Sequence, residues 1–366
     1  MRYASLVLVM GSSWTLTAAA LGAEEFDAGR VRAAAERALP PLQRGLVAFQ
    51  VNYRVRSEPP TDVAIPMEFE AIGCISCHHE GLGLTTLSSL RRGGFAVDEG
   101  LARTEADLLR NAYRELAPLY RRALDDAEAA RVANFFGDIA VQMGYTLGGL
   151  LEAGHLPDEP TADAARILLE HQSGDGSWSY EHAREPMQSS DFATTAMAAR
   201  VLKAYAPADR AERADEAIRR ARAWLLGNAP ETTDDLAFRL LGLKWLGAGP
   251  GELHAATGPL RAIQRGDGGW AQLRSSAASD AYATGLALLA MSEGGGIPTT
   301  DPAYRRGVAF LLETQGDDGT WYVRKWSHAY NRHFEAGFPH GKSQFISLAG
   351  TCYAMMALAR AVEPKE

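Results

Sequence analysis

Cysteine is scarce in this chain of 366 residues: there are three, Cys74, Cys77 and Cys352. That is too few for a fold held by a disulfide framework, so hydrophobic burial has to carry the structure. Lysine is scarce as well. Almost all of the positive charge is arginine, interspersed with aspartate and glutamate, and no basic stripe forms. With a net charge of −8, this excludes nucleic acid as an expected partner. Beyond the N-terminus no apolar run has the character of a membrane span. Phe345 to Val362 comes nearest, but Ser347, Thr351 and Arg360 interrupt it, and it reads as a buried helix.

What is present is 46% hydrophobic content, enough for one large core or two domains. The N-terminus reads as a secretory signal over residues 1–23. Arg2 supplies the positive end, Leu6 to Ala20 the apolar stretch, and Ala20-Leu-Gly-Ala23 the small residues for cleavage. A periplasmic or secreted location is therefore expected, with no membrane span in the mature chain. In that compartment Cys74 and Cys77 can pair or be modified, while the apolar setting of Cys352 suits a buried thiol.

The strongest internal signal is a repeat. Gln172-Ser-Gly-Asp-Gly176-Ser-Trp178, Gln264-Arg-Gly-Asp-Gly268-Gly-Trp270 and Gln315-Gly-Asp-Asp-Gly319-Thr-Trp321 share one pattern. Each closes a helix-period stretch (162–172, 253–264, 304–315), and the Asp-Gly step supplies a chain reversal. A second helix follows each turn, opening at Ser190-Asp191, Ser279-Asp280 and Ser347; a degenerate copy opens at Thr233-Asp234-Asp235. Ser and Asp suit the first turn of a helix. Segments 84–90 and 144–151 read as two further second helices, for six hairpins in all. A hairpin cannot bury its apolar face alone, so the six must stack or close into a ring.

These three segments resemble the repeats of squalene cyclases and prenyltransferases. The resemblance covers residues 140–366 well and the rest weakly. It implies an all-α fold, an α/α toroid of about six hairpins with the second helix of each inside. In that family the glutamine bonds backbone groups at helix ends, the tryptophan stacks on it, and both are structural. The domains expected are 24–100, a helical N-terminal segment, and 101–366, the toroid repeats, with 24–366 closing as a single toroid as the alternative.

Two constellations bear chemistry. The first, Cys74-Ile-Ser-Cys77-His78, is the Cys-x-x-Cys-His pattern of c-type haem attachment: two thiols one helical turn apart for the vinyl groups, then an imidazole for the iron. Its alternatives are a disulfide or a metal site with His78 and His79. Neither methionine nor histidine occurs from Glu80 to Gln142, so a sixth iron ligand has no local source. That leaves an open position or a ligand from elsewhere: Met143, or His328, His333 or His340 in the insertion at 323–341, with His340 the first choice because it sits just before the last inner helix.

The second constellation is Asp191, Asp234, Asp235, Asp280 and Ser347 at the inner-helix starts. A toroid would gather them around one mouth, with Cys77 and His78 beside them; the alternative is that every aspartate merely caps a helix. Resembled cyclases protonate an alkene with Asp-x-Asp-Asp. The nearest match is Thr232-Thr233-Asp234-Asp235, with threonine at the first position. Protein prenyltransferases hold zinc with Asp-x-Cys. The comparable stretch is Asp280-Ala281-Tyr282, so no zinc is expected. Composition and motifs together predict an exported toroid carrying haem c at its mouth and serving redox chemistry or ligand binding. The alternatives are a terpene-cyclase-like enzyme with a non-standard acid, drawing on Asp191, Asp234, Asp235 and Asp280, and an interaction scaffold. The small-molecule or redox partner is unspecified.

Overall fold

The computed structural model describes residues 27–55, 76–135, 138–327 and 335–362. The expected signal segment at 1–23, Cys74, His328 and His333 lie outside the described residues. Among the described residues there are thirteen α-helices and no β-strand.

Six of the helices form an inner ring: α2 (Gly83–Arg92), α5 (Ile139–Glu152), α7 (Asp191–Tyr205), α9 (Thr233–Trp245), α11 (Ala281–Leu289) and α13 (Gln344–Val362). Each packs on the next, and α13 returns to α2, so the ring closes. The outer layer is α1 (Ala28–Val55), α3 (Glu99–Ala123) with the short α4 (Ala127–Phe135), α6 (Glu159–Glu170), α8 (Ala211–Gly227), α10 (Pro250–Ala262) and α12 (Pro302–Thr314). This is the six-hairpin α/α toroid expected from the repeat, with second helices inside. The two layers explain the sequence pattern. An inner helix is covered on every side, so α11 and α13 are apolar or small all round, whereas α3 keeps a polar outer face. The window ending at Val362 is long and apolar enough to cross a membrane, but 78% of it is buried inside the ring.

Small residues let the inner helices meet backbone to backbone. A Cβ on Gly149 would lie 2.6 Å from the Gly81 carbonyl oxygen, so α5 and the segment before α2 touch along their main chains.

The three repeat turns share one construction. Gln172 Nε2 donates to the Gly176 carbonyl (3.0 Å) and to that of Ala217 on α8 (2.8 Å). Gln264 does the same to Gly268 and Ala303 on α12 (2.8 and 2.7 Å), and Gln315 to Gly319 and Ala34 on α1 (2.8 Å each). The last pair joins the final hairpin to the first and seals the ring. Trp178, Trp270 and Trp321 are fully buried, and each indole N–H donates at 2.8 Å to a carbonyl of the preceding outer helix: Leu168, Leu260 and Leu311. Gly319, at φ +83°, leaves no room for a side chain: a Cβ would lie 2.5 Å from the Arg37 carbonyl oxygen.

The outer helices begin earlier than periodicity indicated. Asp158 and Asp301 cap α6 and α12, and a proline occupies the first turn of each, as in α10. Caps lie outside the apolar stripe, so a period-based reading misses them.

Candidate functional site

The inner-helix starts do gather at one end of the ring. Ser190 Oγ donates to Asp235 Oδ1 (2.6 Å), linking α7 to α9. Tyr282 Oη donates to Asp234 Oδ2 (2.9 Å), linking α11 to α9. His78 meets Phe345 of α13 edge-on at 5.9 Å. Cys77 and His78 open a π-helical segment, Cys77–Leu82, that runs straight into α2 and packs against α5.

The aspartates divide by role. Asp235 belongs to a capping box, accepting from the Glu231 and Thr232 N–H groups while Thr232 caps α9. Asp280 caps α11 through the Ala283 N–H (2.9 Å), and burial pushes its carboxyl up to about 6. Asp191 is not the cap; Ser190 is. Ser347 lies in the first turn of α13, which starts at Gln344, and its Oγ donates to the Val323 carbonyl (3.2 Å). Asp234 differs from the others. It is buried, Oδ1 has no hydrogen-bond partner, and burial pushes its carboxyl well above the usual range.

Asp234 sits in a cluster with Tyr145, Tyr282 and Tyr353. Tyr282 and Tyr353 are T-shaped at 5.2 Å, and Tyr145 is close enough to both for their charges to act on one another. These side chains come from α5, α9, α11 and α13, and α5 lies across the ring from α11. Side chains from opposite helices meet only on the axis, so a buried Asp–Tyr plug occupies the axis.

The Cys-His segment lies beside this plug. Ser76 Oγ accepts from the His78 and His79 N–H groups (3.2 Å each), and Glu80 Oε2 takes the Ser76 N–H (2.8 Å). His78 and Cys77 are half-buried, whereas His79 is fully buried, stacked at 4.0 Å on Phe49 and edge-on to Phe345. Burial, reinforced by the Arg184 guanidinium, lowers His78 to about 4, so its imidazole is neutral. Burial pushes the Cys77 thiol up to about 12. A neutral imidazole fits an iron ligand, whereas His79 faces the aromatic core.

Three features escaped the sequence reading. Glu80 and Glu105, both buried, face one another; burial together with mutual repulsion raises Glu80 well above its usual range, and burial takes Glu105 to about 7. Gln50 donates to Glu80. Asp138, buried in a left-handed conformation (φ +51°), accepts from the Glu181 and His182 N–H groups (2.9 and 3.0 Å). Its carboxylate groups with Glu181 and His182 within 4.8 Å, but its oxygens are taken up by those N–H groups and the imidazole. A helical glutamate or an aspartate before a helix carries no local signal for such contacts.

The sixth-ligand candidates are placed apart. His340 Nε2 lies 2.7 Å from Thr320 Oγ1 at the third repeat turn. Met143 is buried in the cluster between inner and outer layers. Cys352 is buried in α13.

No protein-family model matches the chain, and no curated relative matches it. Solved structures do. A glycosidase in complex with glucose superposes with TM-score 0.55 at 13% identity, over 90% of this chain and 98% of the other. A type II terpene cyclase from Scytonema gives 0.52 at 11%, over 90% and 99%. A protein from Actinoplanes gives 0.50 at 16%, over 88% and 99%. At such identities the likeness is one of fold: this chain is an α/α toroid, as these structures are.

Proposed function

We propose that this toroid is an exported protein that carries a covalent c-type haem on Cys74, Cys77 and His78 at the mouth of its ring, and acts in redox chemistry or ligand binding. One observation supports it above the rest: Cys77 and His78 stand together, half-buried and uncharged, at the ring's rim, while His79 is turned into the core. A bound haem would supply one-electron chemistry or an iron site for a small ligand. The protein's own part is to hold the imidazole against Phe345, to keep it neutral by burial, and to plug the axis with Asp234 and the three tyrosines. His340 is engaged by Thr320 and Met143 by the core, which supports an open sixth position over a closed one. Haem staining after denaturing electrophoresis tests the reading. It should follow protein matured in a haem-loading periplasm and vanish when Cys74→Ala and Cys77→Ala are combined. A matured wild type without staining would sink the proposal.

A second reading rests on Asp234. A buried carboxyl that burial pushes well above the usual range, with one oxygen unanswered, has the form of a general acid, and it falls at the position resembling the cyclase acid motif. On this reading an isoprenoid alkene is protonated at the axis once the tyrosine plug moves. Product analysis with an isoprenoid substrate, comparing wild type with Asp234→Asn, decides it: turnover lost in the variant supports the reading, and no turnover by either protein removes it.

A further inference from the structure

The segment that follows the third repeat turn lies across the mouth of the ring. The Val323 N–H donates to Ser347 Oγ (3.0 Å) and the Lys325 N–H to Ser343 Oγ (3.1 Å), which ties the segment to the start of α13. Its far end is tied to α11. Trp326 Nε1 donates to Gln272 Oε1 (2.6 Å), and Gln272 Nε2 donates to Oδ2 of Asp280, the cap of α11 (3.1 Å). We propose that Gln272 passes the ionisation state of Asp280 to Trp326, so that this strap is fastened over the mouth when Asp280 is a carboxylate and loosened when Asp280 takes up a proton.

An indole N–H only donates, and a carboxylate only accepts. The amide between them has one orientation that satisfies both, and it is the one observed: Oε1 to the indole, Nε2 to the carboxylate. Gln272 is buried, and its backbone carbonyl accepts the Thr233 N–H (3.1 Å), so the amide is held in place. Asp280 Oδ1 is committed to the Ala283 N–H (2.9 Å), which leaves Oδ2 to take the proton. A protonated Oδ2 donates to the amide. The amide must then turn Oε1 to Asp280 and Nε2 to the indole, and two donors meet. Trp326 is 44% exposed, so losing that bond frees a side chain already half in solvent.

Burial pushes the Asp280 carboxyl up to about 6, which puts the change at mildly acidic pH. α11 packs on α9, α12 and α13. From α9 comes Asp234, bonded to Tyr282 Oη two positions beyond Asp280, and α13 brings Tyr353 against Tyr282. α12 turns Arg306 and Glu313 to solvent, and the strap carries Arg324 and Lys325, both exposed. Asp267 in the second repeat turn accepts from Ser279 Oγ (2.9 Å), and Glu293 after α11 is held by Arg360 (3.0 Å).

Fluorine NMR of the full chain labelled with fluorotryptophan tests the relay, with the Trp326 signal assigned by its loss in Trp326→Phe. The readout is the difference in its shift between light and heavy water, which grows with exposure and is blind to charge alone. In wild type that difference should rise as pH falls, with a midpoint near 6. It should stay level in Asp280→Asn, which has no proton to take up, and in Gln272→Met, which cuts the relay while Asp280 still titrates. A level wild-type profile overturns the inference, and so does a rise that persists in Asp280→Asn. If Asp280→Asn is not recovered folded, a rise that persists in Gln272→Met overturns it. None of these residues belongs to the Cys-x-x-Cys-His motif, so the outcome is independent of haem.

Discussion

At the three repeat turns, glutamine and tryptophan side chains end on carbonyls of the ring itself, whereas at the inner-helix starts Asp191 Oδ1 and Asp234 Oδ1 have no hydrogen-bond partner. Both regions are buried and polar, but only one is satisfied. A satisfied buried network stabilises and specifies; an unsatisfied one costs free energy, and its persistence marks where function is to be sought. The turns are thus the seams of the toroid and the mouth its working end.

The sharpest way to break this division is at a seam. Trp270→Ala removes a fully buried indole and its bond to Leu260, and should cost about 3–5 kcal/mol in chemical denaturation. The protein that remains folded should keep the wild-type spectrum. A variant that keeps its stability and loses its spectrum would assign this seam to function.

Glu105→Gln works the other way. Burial raises the Glu105 carboxyl from 4.5 to about 7 in the folded state. The folded state therefore holds a proton that the unfolded state releases, and wild-type stability declines as pH rises from about 4.5 to about 7, then levels. The amide has no proton to lose, so at pH 8 the variant should be more stable than wild type by about 3 kcal/mol, with the gap closing toward pH 4.5. Parallel stability profiles for the two proteins would show that Glu105 is ionised at no cost.

Gly319→Ala probes the seam that closes the ring. The positive φ and the approach of the Arg37 carbonyl should together cost about 1–3 kcal/mol. The loss should fall on the contact between first and last hairpins, read as faster amide exchange at α1 and α12.

His340→Ala should have the smallest effect. Loss of the bond to Thr320 removes about 1 kcal/mol. Carbon monoxide binding by the reduced protein should be the same as in wild type. Binding that appears only in the variant would identify His340 as the sixth ligand.

How much of this was legible depended on whether the signal was local. Gln264, Gly268 and Trp270 lie within seven positions, and three copies give the pattern, so six hairpins could be read from the sequence and the family resemblance they carry implied the toroid. The clustering of inner-helix starts followed from the toroid. Which aspartate does what did not follow. Asp235 and Asp280 turned out to be committed to helix starts, whereas Asp234 is fully buried with Oδ1 unanswered and Oδ2 held by Tyr282, 48 positions away. The Asp–Tyr plug brings together residues from four inner helices. The Cys-x-x-Cys-His pattern was visible as chemistry; the half-buried place of Cys77 and His78 required the ring.

The measurement that bears most directly on the central claim is the absorption spectrum of the chain matured in a haem-loading periplasm. A Soret band that survives denaturation, with a carbon monoxide adduct on reduction, is the expected result. A folded, correctly exported protein with no Soret band would contradict it and return Cys74 and Cys77 to a disulfide or a metal site.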